Sequence, residues 1–286
     1  MKQKSVQNQA NVLILSDSHS NHIGGLLTPQ DDIIPNPGSC VNDFSKQTYP
    51  IRRKLWDKFM EQIGKCNMEF DAVILLGELI DLPHKRNAQN TVHPNAQNME
   101  LVKLFINVIK FLPIKKGATF YGCLGSRFHV TMADVIDVER ECYAALEREG
   151  FKVNLNFCQK PVDFAIFNHV IRAWHKITGS AEKNIEGNLI KQATNREIAP
   201  NIIFSGHWHK GETYQKQYMN SVFDFIKCPC LCLPCGDLTR LTGNNEKNEA
   251  NYAIGFRTLT VSRDGTICHK MYSCECRGQR TIERLI

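Results

Sequence analysis

The chain opens without an apolar segment. Its first ten residues, MKQKSVQNQA, contain nothing like the hydrophobic centre of a secretory signal. No run approaches the roughly 18 consecutive apolar residues that mark a membrane span. Both absences lead to the expectation of a cytoplasmic chain with no membrane partner. There is no internal repeat and no low-complexity tract, which excludes solenoids and compositional linkers. A strong excess of one charge is also missing. Thirty-five Lys and Arg against 29 Asp and Glu leave a net charge of +6, enough to favour anionic ligands but short of the polybasic coat of a nucleic-acid binder. Cysteine is plentiful, at 12 residues, but disulfide frameworks belong to small secreted chains, so free thiols are expected. With 286 residues, 42% of them hydrophobic, the chain can bury a large core, and it reads as one domain. A motif-bearing part covers 11–210 and a strand-rich part 211–286.

Five short apolar runs end abruptly in polar residues, as buried strands do when they hand over to loops. Asn11 to Leu15 runs into Ser16-Asp17-Ser18-His19, and Ala72 to Leu76 into Gly77-Glu78 and then Asp81. Thr119 to Leu124 precedes Gly125-Ser126-Arg127-Phe128-His129, and Val162 to Phe167 precedes Asn168-His169. Asn201 to Phe204 precedes Ser205-Gly206-His207-Trp208-His209. Helical periodicity lies between them, at Arg52 to Ile63, Met99 to Leu112 and Ala133 to Gly150, with a weaker stretch at Ala181 to Arg196. Alternating strands and helices predict an α/β core with largely parallel pairing, whose sites gather beyond the carboxyl ends of the strands. After Gly211 the pattern changes to antiparallel strands, near Val222 to Lys227, Cys230 to Leu233, Ile254 to Val261 and Thr266 to Met271, with a hairpin turn at Arg263-Asp264-Gly265.

An Asp and a His two residues apart after one strand, and two His two residues apart after another, place side chains of one face beside each other. Both pairs suit a metal. Imidazole with carboxylate favours Zn, Mn or Fe, and several His with two acidic groups exceed what one ion takes, so two ions are the economical reading. Any one of these histidines alone is a weak signal; their recurrence at successive strand ends is the stronger one.

The order of these motifs resembles that of the calcineurin-like metallophosphoesterases. Asp17-Ser18-His19 stands where that family has D-x-H, Gly77-Glu78-Leu79-Ile80-Asp81 where it has G-D-x-x-D, and Gly206-His207-Trp208-His209 where it has G-H-x-H. His169 falls where the family has an isolated His after a strand, with His175 in reserve if that strand runs longer. The resemblance implies a four-layer α/β/β/α sandwich of two mixed sheets flanked by helices, with the later strand-rich segment in the second sheet. It further implies a phosphoester hydrolase with two divalent ions, whether Mn, Zn, Fe or Mg. One ion would be held by Asp17, His19, Glu78 and His209, the other by Glu78, His169 and His207, with Ser126 or water as a further donor. Two departures stand out. Glu78 replaces the bridging Asp, leaving Asp81 either to orient a ligand or to inherit the bridge. Gly125-Ser126-Arg127-Phe128-His129 replaces G-N-H, and is similar to a branch of the superfamily, often phage-encoded, with G-T-x-x-H. By the same resemblance His129 would protonate the leaving group and Arg127 would clamp a phosphate oxygen. The substrate class is left open between monoester and diester, nucleic acid, nucleotide and small molecule.

Two other readings compete. One is a non-catalytic binding or structural protein on the same scaffold, suggested by the altered bridging acid and the missing Asn. The other is a zinc-containing nucleic-acid-binding module built from Cys228, Cys230, Cys232, Cys235, Cys274 and Cys276, of which only Cys232 and Cys235 have C-x-x-C spacing. The alternation of Ile226, Cys228, Cys230 and Cys232 reads more simply as the inward face of a strand.

Overall fold

The first apolar run lies in strand β1 (Gln9–Leu15), and its residues divide between two cores. The computed structural model describes residues 8–22, 24–31, 43–81, 92–93, 97–125, 134–156, 161–175, 200–218, 221–233 and 253–275. Leu13 and Leu15 pack into one hydrophobic cluster and Val12 and Ile14 into another, on opposite faces of the strand. Strand β2 (Phe70–Leu75) repeats this, sending Val73 and Leu75 one way and Ala72 and Ile74 the other. Burial on both faces is why these strands are unbroken apolar runs rather than alternating ones. Truncating Ile14 to Ala would cost about 2–5 kcal/mol through lost transfer energy and a cavity.

The two strands belong to a six-stranded mixed sheet, completed by β3 (Ile114–Cys123), β4 (Lys152–Asn156), β10 (Gly255–Ser262) and β11 (Ile267–Ser273). Its order is β11-β10-β1-β2-β3-β4, with β1 to β4 parallel and β10 antiparallel to β1. The second sheet has the order β5-β6-β7-β9-β8, from β5 (Val162–Ile166), β6 (His169–Trp174), β7 (Ile202–Ser205), β8 (Thr213–Tyr218) and β9 (Ser221–Lys227). There β6, β7 and β9 are parallel, and β5 and β8 are antiparallel edges. The cluster holding Val12, Ile14 and Ile74 also contains Ile171, Phe204 and Ile226, so the inner faces of the sheets share one core.

Three helices, α1 (Asp43–Cys66), α2 (Asn98–Lys110) and α3 (Asp134–Arg148), supply the core on the outer face of the six-stranded sheet. Leu55, Phe59, Ile63 and Cys66 of α1 recur at helical spacing and are buried there. The helix begins nine residues before its periodicity becomes visible and contains Pro50. The expected α/β class of two mixed sheets flanked by helices is observed. The helix expected over Ala181 to Arg196 lies outside the described residues.

The strand-rich C-terminal part does not form the second sheet by itself. β8 and β9 join that sheet, while β10 and β11 return to the first, where β10 covers the free edge of β1. The expected hairpin at Arg263-Asp264-Gly265 joins β10 and β11. Cys230 to Leu233, expected as a strand, contributes only one bridge, Cys230 to Ile254.

Candidate metal centre

Six parallel strands end at the same place. Loops following β1, β2 and β3 of the first sheet meet loops following β6, β7 and β9 of the second, the arrangement that puts sites at strand carboxyl ends. The loop after β1 runs beside that after β2. His19 and Ser20 donate their backbone N–H groups to the carbonyls of Glu78 and Leu79, both at 3.0 Å, and Asp81 returns one to Ser20 at 2.9 Å. Close approach replaces side chains here: a Cβ on Gly77, whose φ is +84°, would lie 2.6 Å from the nitrogen of Gly125. One on Gly206 would lie 2.5 Å from Ser16 Oγ. Gly77 is therefore demanded by packing and by its left-handed backbone, and Gly206 by packing.

Asp17, His19, Glu78, His207 and His209 are brought together and all have positive φ, between 44° and 66°. Left-handed conformations of non-glycine residues cost about 1–3 kcal/mol each and gather at functional sites. Two overlapping donor sets result. Asp17, His19, Glu78 and His209, all buried, present ligand atoms within 4.8 Å of one another, and so do Glu78, His175 and His207. The shared member is Glu78. Its Oε2 lies 3.2 Å from His19 Nε2, and its Oε1 lies 3.1 Å from His175 Nε2 and 3.7 Å from His207 Nδ1. The longer acid thus turns one oxygen towards each set.

His169 is not part of this assembly. Phe167 and Asn168 form the turn of an antiparallel hairpin, so the chain reverses after β5 and His169 opens β6 at the end remote from the site. The strand that reaches the site is β6, and the residue beyond it is His175, which supplants His169 in the expected ligand set. His175 Nδ1 lies 2.6 Å from the Leu76 carbonyl, which orients Nε2 towards Glu78. Asp81 takes the orienting position, with Oδ2 3.3 Å from His19 Nδ1, the carboxylate-to-imidazole contact that commonly stands behind a metal-bound His. Ser126, Arg127 and His129 lie outside the described residues.

Glu139 of α3 had no signal in the sequence beyond being a charge on a helix. Its buried carboxylate accepts the backbone N–H of Leu79 at 3.0 Å and of Gly125 at 2.8 Å, tying the loop after β2 to that after β3. The sulfur of Cys232, whose spacing suggests only the inward face of a strand, joins His19 and His209 in a third, wholly buried donor set.

Electrostatics follow from crowding anions and imidazoles in a dry place. Burial depresses the His19 pKa, but Asp81 and Glu78 reverse this and hold it well above its ordinary value. Burial likewise opposes protonation of His175 and His209. Glu78 and Asp17 nevertheless push His175 up to about 9, and Cys230 with Asp17 pushes His209 up to about 10. His207 faces Glu78 and Asp17 as well, but burial, with the neighbouring charge of His175 added to it, outweighs them and lowers its pKa. Protons here occupy the place that cations would take, and the donor chemistry of His, Asp and Glu fits borderline divalent ions.

No family profile matches the chain, and no curated protein sequence does. Solved structures are similar to it at low identity. A conserved protein of Streptococcus pneumoniae described as a predicted phosphoesterase is 10% identical, covering 94% of this chain and 99% of its own, with a TM-score of 0.36. Vps29 of Entamoeba histolytica, solved with zinc, is 12% identical over 93% of this chain and 99% of its own, with a TM-score of 0.38. A purple acid phosphatase from yellow lupin seeds is 12% identical over 93% of this chain and 54% of its own, with a TM-score of 0.38. These likenesses are distant, and the chemistry rests on this chain's own residues: three of the motifs that resemble those of the calcineurin-like metallophosphoesterases, at Asp17-Ser18-His19, Gly77-Glu78 and Gly206-His207-Trp208-His209, converge in space on one donor cluster.

Proposed function

We propose that this chain is a calcineurin-like metallophosphoesterase, hydrolysing a phosphodiester or phosphomonoester at a centre for two divalent ions. The observation that carries this reading is Glu78, whose two oxygens face separate histidine groups as a bridging carboxylate must. Asp17, His19, Glu78 and His209 would hold one ion, and Glu78, His175 and His207 the other. When bound, such a pair lowers the pKa of water and neutralises charge on a phosphoryl group.

The protein's own groups do the positioning. Asp17 accepts the backbone N–H of His207 at 3.0 Å, so the ligand loop of one sheet is anchored to a ligand of the other. Asp81 holds the His19 ring, and the Leu76 carbonyl holds that of His175. His129 as proton donor and Arg127 as phosphate clamp remain part of the proposal on their motif positions. The net charge of +6 favours an anionic substrate, for which nucleotides and nucleic acid are candidates. Among the described residues no helix is long and apolar enough to cross a membrane.

The test is metal analysis of the purified protein, with activity measured on bis-nitrophenyl phosphate, nitrophenyl phosphate and single-stranded DNA in added Mn. Two bound ions and metal-dependent turnover are expected. A folded protein that binds metal yet hydrolyses none of the three would favour a non-catalytic scaffold.

A further inference from the structure

The segment after β9 is held over the metal centre by its backbone. Cys228 donates its N–H to the Ser205 carbonyl at 2.8 Å, and Leu231 donates to the carbonyls of Ser16 and Asp17 at 3.2 Å. Leu233 donates to Gly24 at 2.6 Å, and Gly255 to the Cys230 carbonyl at 2.8 Å. This lacing joins the cysteine segment to the loops that carry Asp17 and His209. Cys232 is fully buried, and its sulfur, an imidazole nitrogen of His19 and one of His209 lie within 4.8 Å of one another. His19 and His209 also belong to the set with Asp17 and Glu78, so one ion can serve both.

We propose that Cys232 is a thiolate ligand of the ion held by Asp17, His19 and His209, making that position selective for a soft or borderline metal. The inference rests on the metal-centre reading and specifies its chemistry. On binding, the sulfur forms a bond to the ion and its proton leaves to solvent. Thiolate with two imidazoles suits zinc, ferrous iron or cobalt, whereas magnesium and manganese prefer oxygen donors. The other position, with Glu78, His175 and His207, lacks sulfur and would be the more permissive one. Cys230 is the comparison: it is equally buried beside Cys232 and lies against His209, but belongs to none of the three donor sets.

The experiment is cobalt loading of the full-length metal-free protein, read by ligand-to-metal charge-transfer absorption, with Cys232→Ser, Cys232→Asp and Cys230→Ser as variants. The native chain should show a thiolate-to-cobalt band, Cys230→Ser should keep it, and both Cys232 variants should lose it. Zinc affinity of Cys232→Ser should fall by more than about tenfold, the least that losing even an outer partner costs. Cys232→Asp should shift preference towards manganese. If the native protein binds cobalt without the band, or Cys232→Ser binds it with the band intact, the thiolate assignment is overturned while the dinuclear reading stands. If the native protein binds no cobalt or zinc at all, both fall. Should the Cys232 variants fail to fold, loss of the band in Cys230→Ser would overturn the assignment, and its retention would support it.

Discussion

The two halves of the candidate metal centre are built differently. On the six-stranded-sheet side, Asp17, His19 and Glu78 sit on two loops bonded to each other along their backbones, and the histidine ring is backed by Asp81. On the five-stranded-sheet side, His207 and His209 follow β7 while His175 follows β6, and the His207 side chain retains 17% of its exposure. The first half is held by local backbone pairing. The second is held by the packing of one sheet on the other and by Asp17 reaching across to the His207 N–H. An ion of the first half should therefore bind more tightly, and the second position should respond most to changes at Glu78 and His175.

The largest effect should come from a residue that both halves use. Asp17→Ala removes a ligand and the anchor of His207, and activity should fall by roughly 10³-fold or more while the fold persists, since loss of the ion removes activation of water. Circular dichroism with metal analysis separates the two, and near-native turnover would show the constellation to be misassigned. Next comes the pair that discriminates strand ends. His175→Ala should lose one ion and most activity, whereas His169→Ala should leave metal content and rate close to native, because His169 lies at the far end of β6.

Glu78→Asp shortens the reach between the halves. With Oε1 and Oε2 already 3.1 and 3.2 Å from their imidazoles, a side chain one methylene shorter should release the second ion and lower turnover at limiting metal by roughly 10–100-fold. A gain in turnover would mean that the loops can close around the shorter acid. Glu139→Ala leaves the N–H groups of Leu79 and Gly125 without their acceptor, at about 1–3 kcal/mol each. Denaturant unfolding should register this, with a smaller loss of metal affinity.

The smallest effect is on pH. His175 and His209 bind protons more tightly folded than unfolded, so in metal-free protein their stabilisation is complete below about pH 6.5 and is lost as pH rises through 9 to 10. Metal competes with those protons, so affinity rises over the same interval. Melting temperatures with chelator should fall from pH 7 to pH 10, and a rise would contradict the assigned coupling.

Much of this was legible in the chain. The runs NVLIL and AVILL announced strands buried on both faces, because a strand with two covered faces needs no polar alternation. Asp17, His19, His207 and His209 could be read as candidate donors from spacing, because they follow their strands within a few residues, and Glu78 from the resemblance of its motif to G-D-x-x-D. His169 was misplaced for a local reason: the Phe167-Asn168 turn reverses the chain, and a polar residue after an apolar run does not say which end of a sheet it reaches.

What the sequence by itself determined is the series of buried strands, the helices with a clear apolar stripe, and most of the candidate donor residues. Tertiary structure alone decided which strand ends meet. That depends on register and on the packing of elements that lie apart along the chain. It brought His175 to Glu78, set Glu139 under two loops, returned β10 to the edge of β1, and laid Cys232 against His19 and His209. None of these contacts has a periodicity to reveal it, because each is made between segments whose spacing along the chain carries no information about their distance in space.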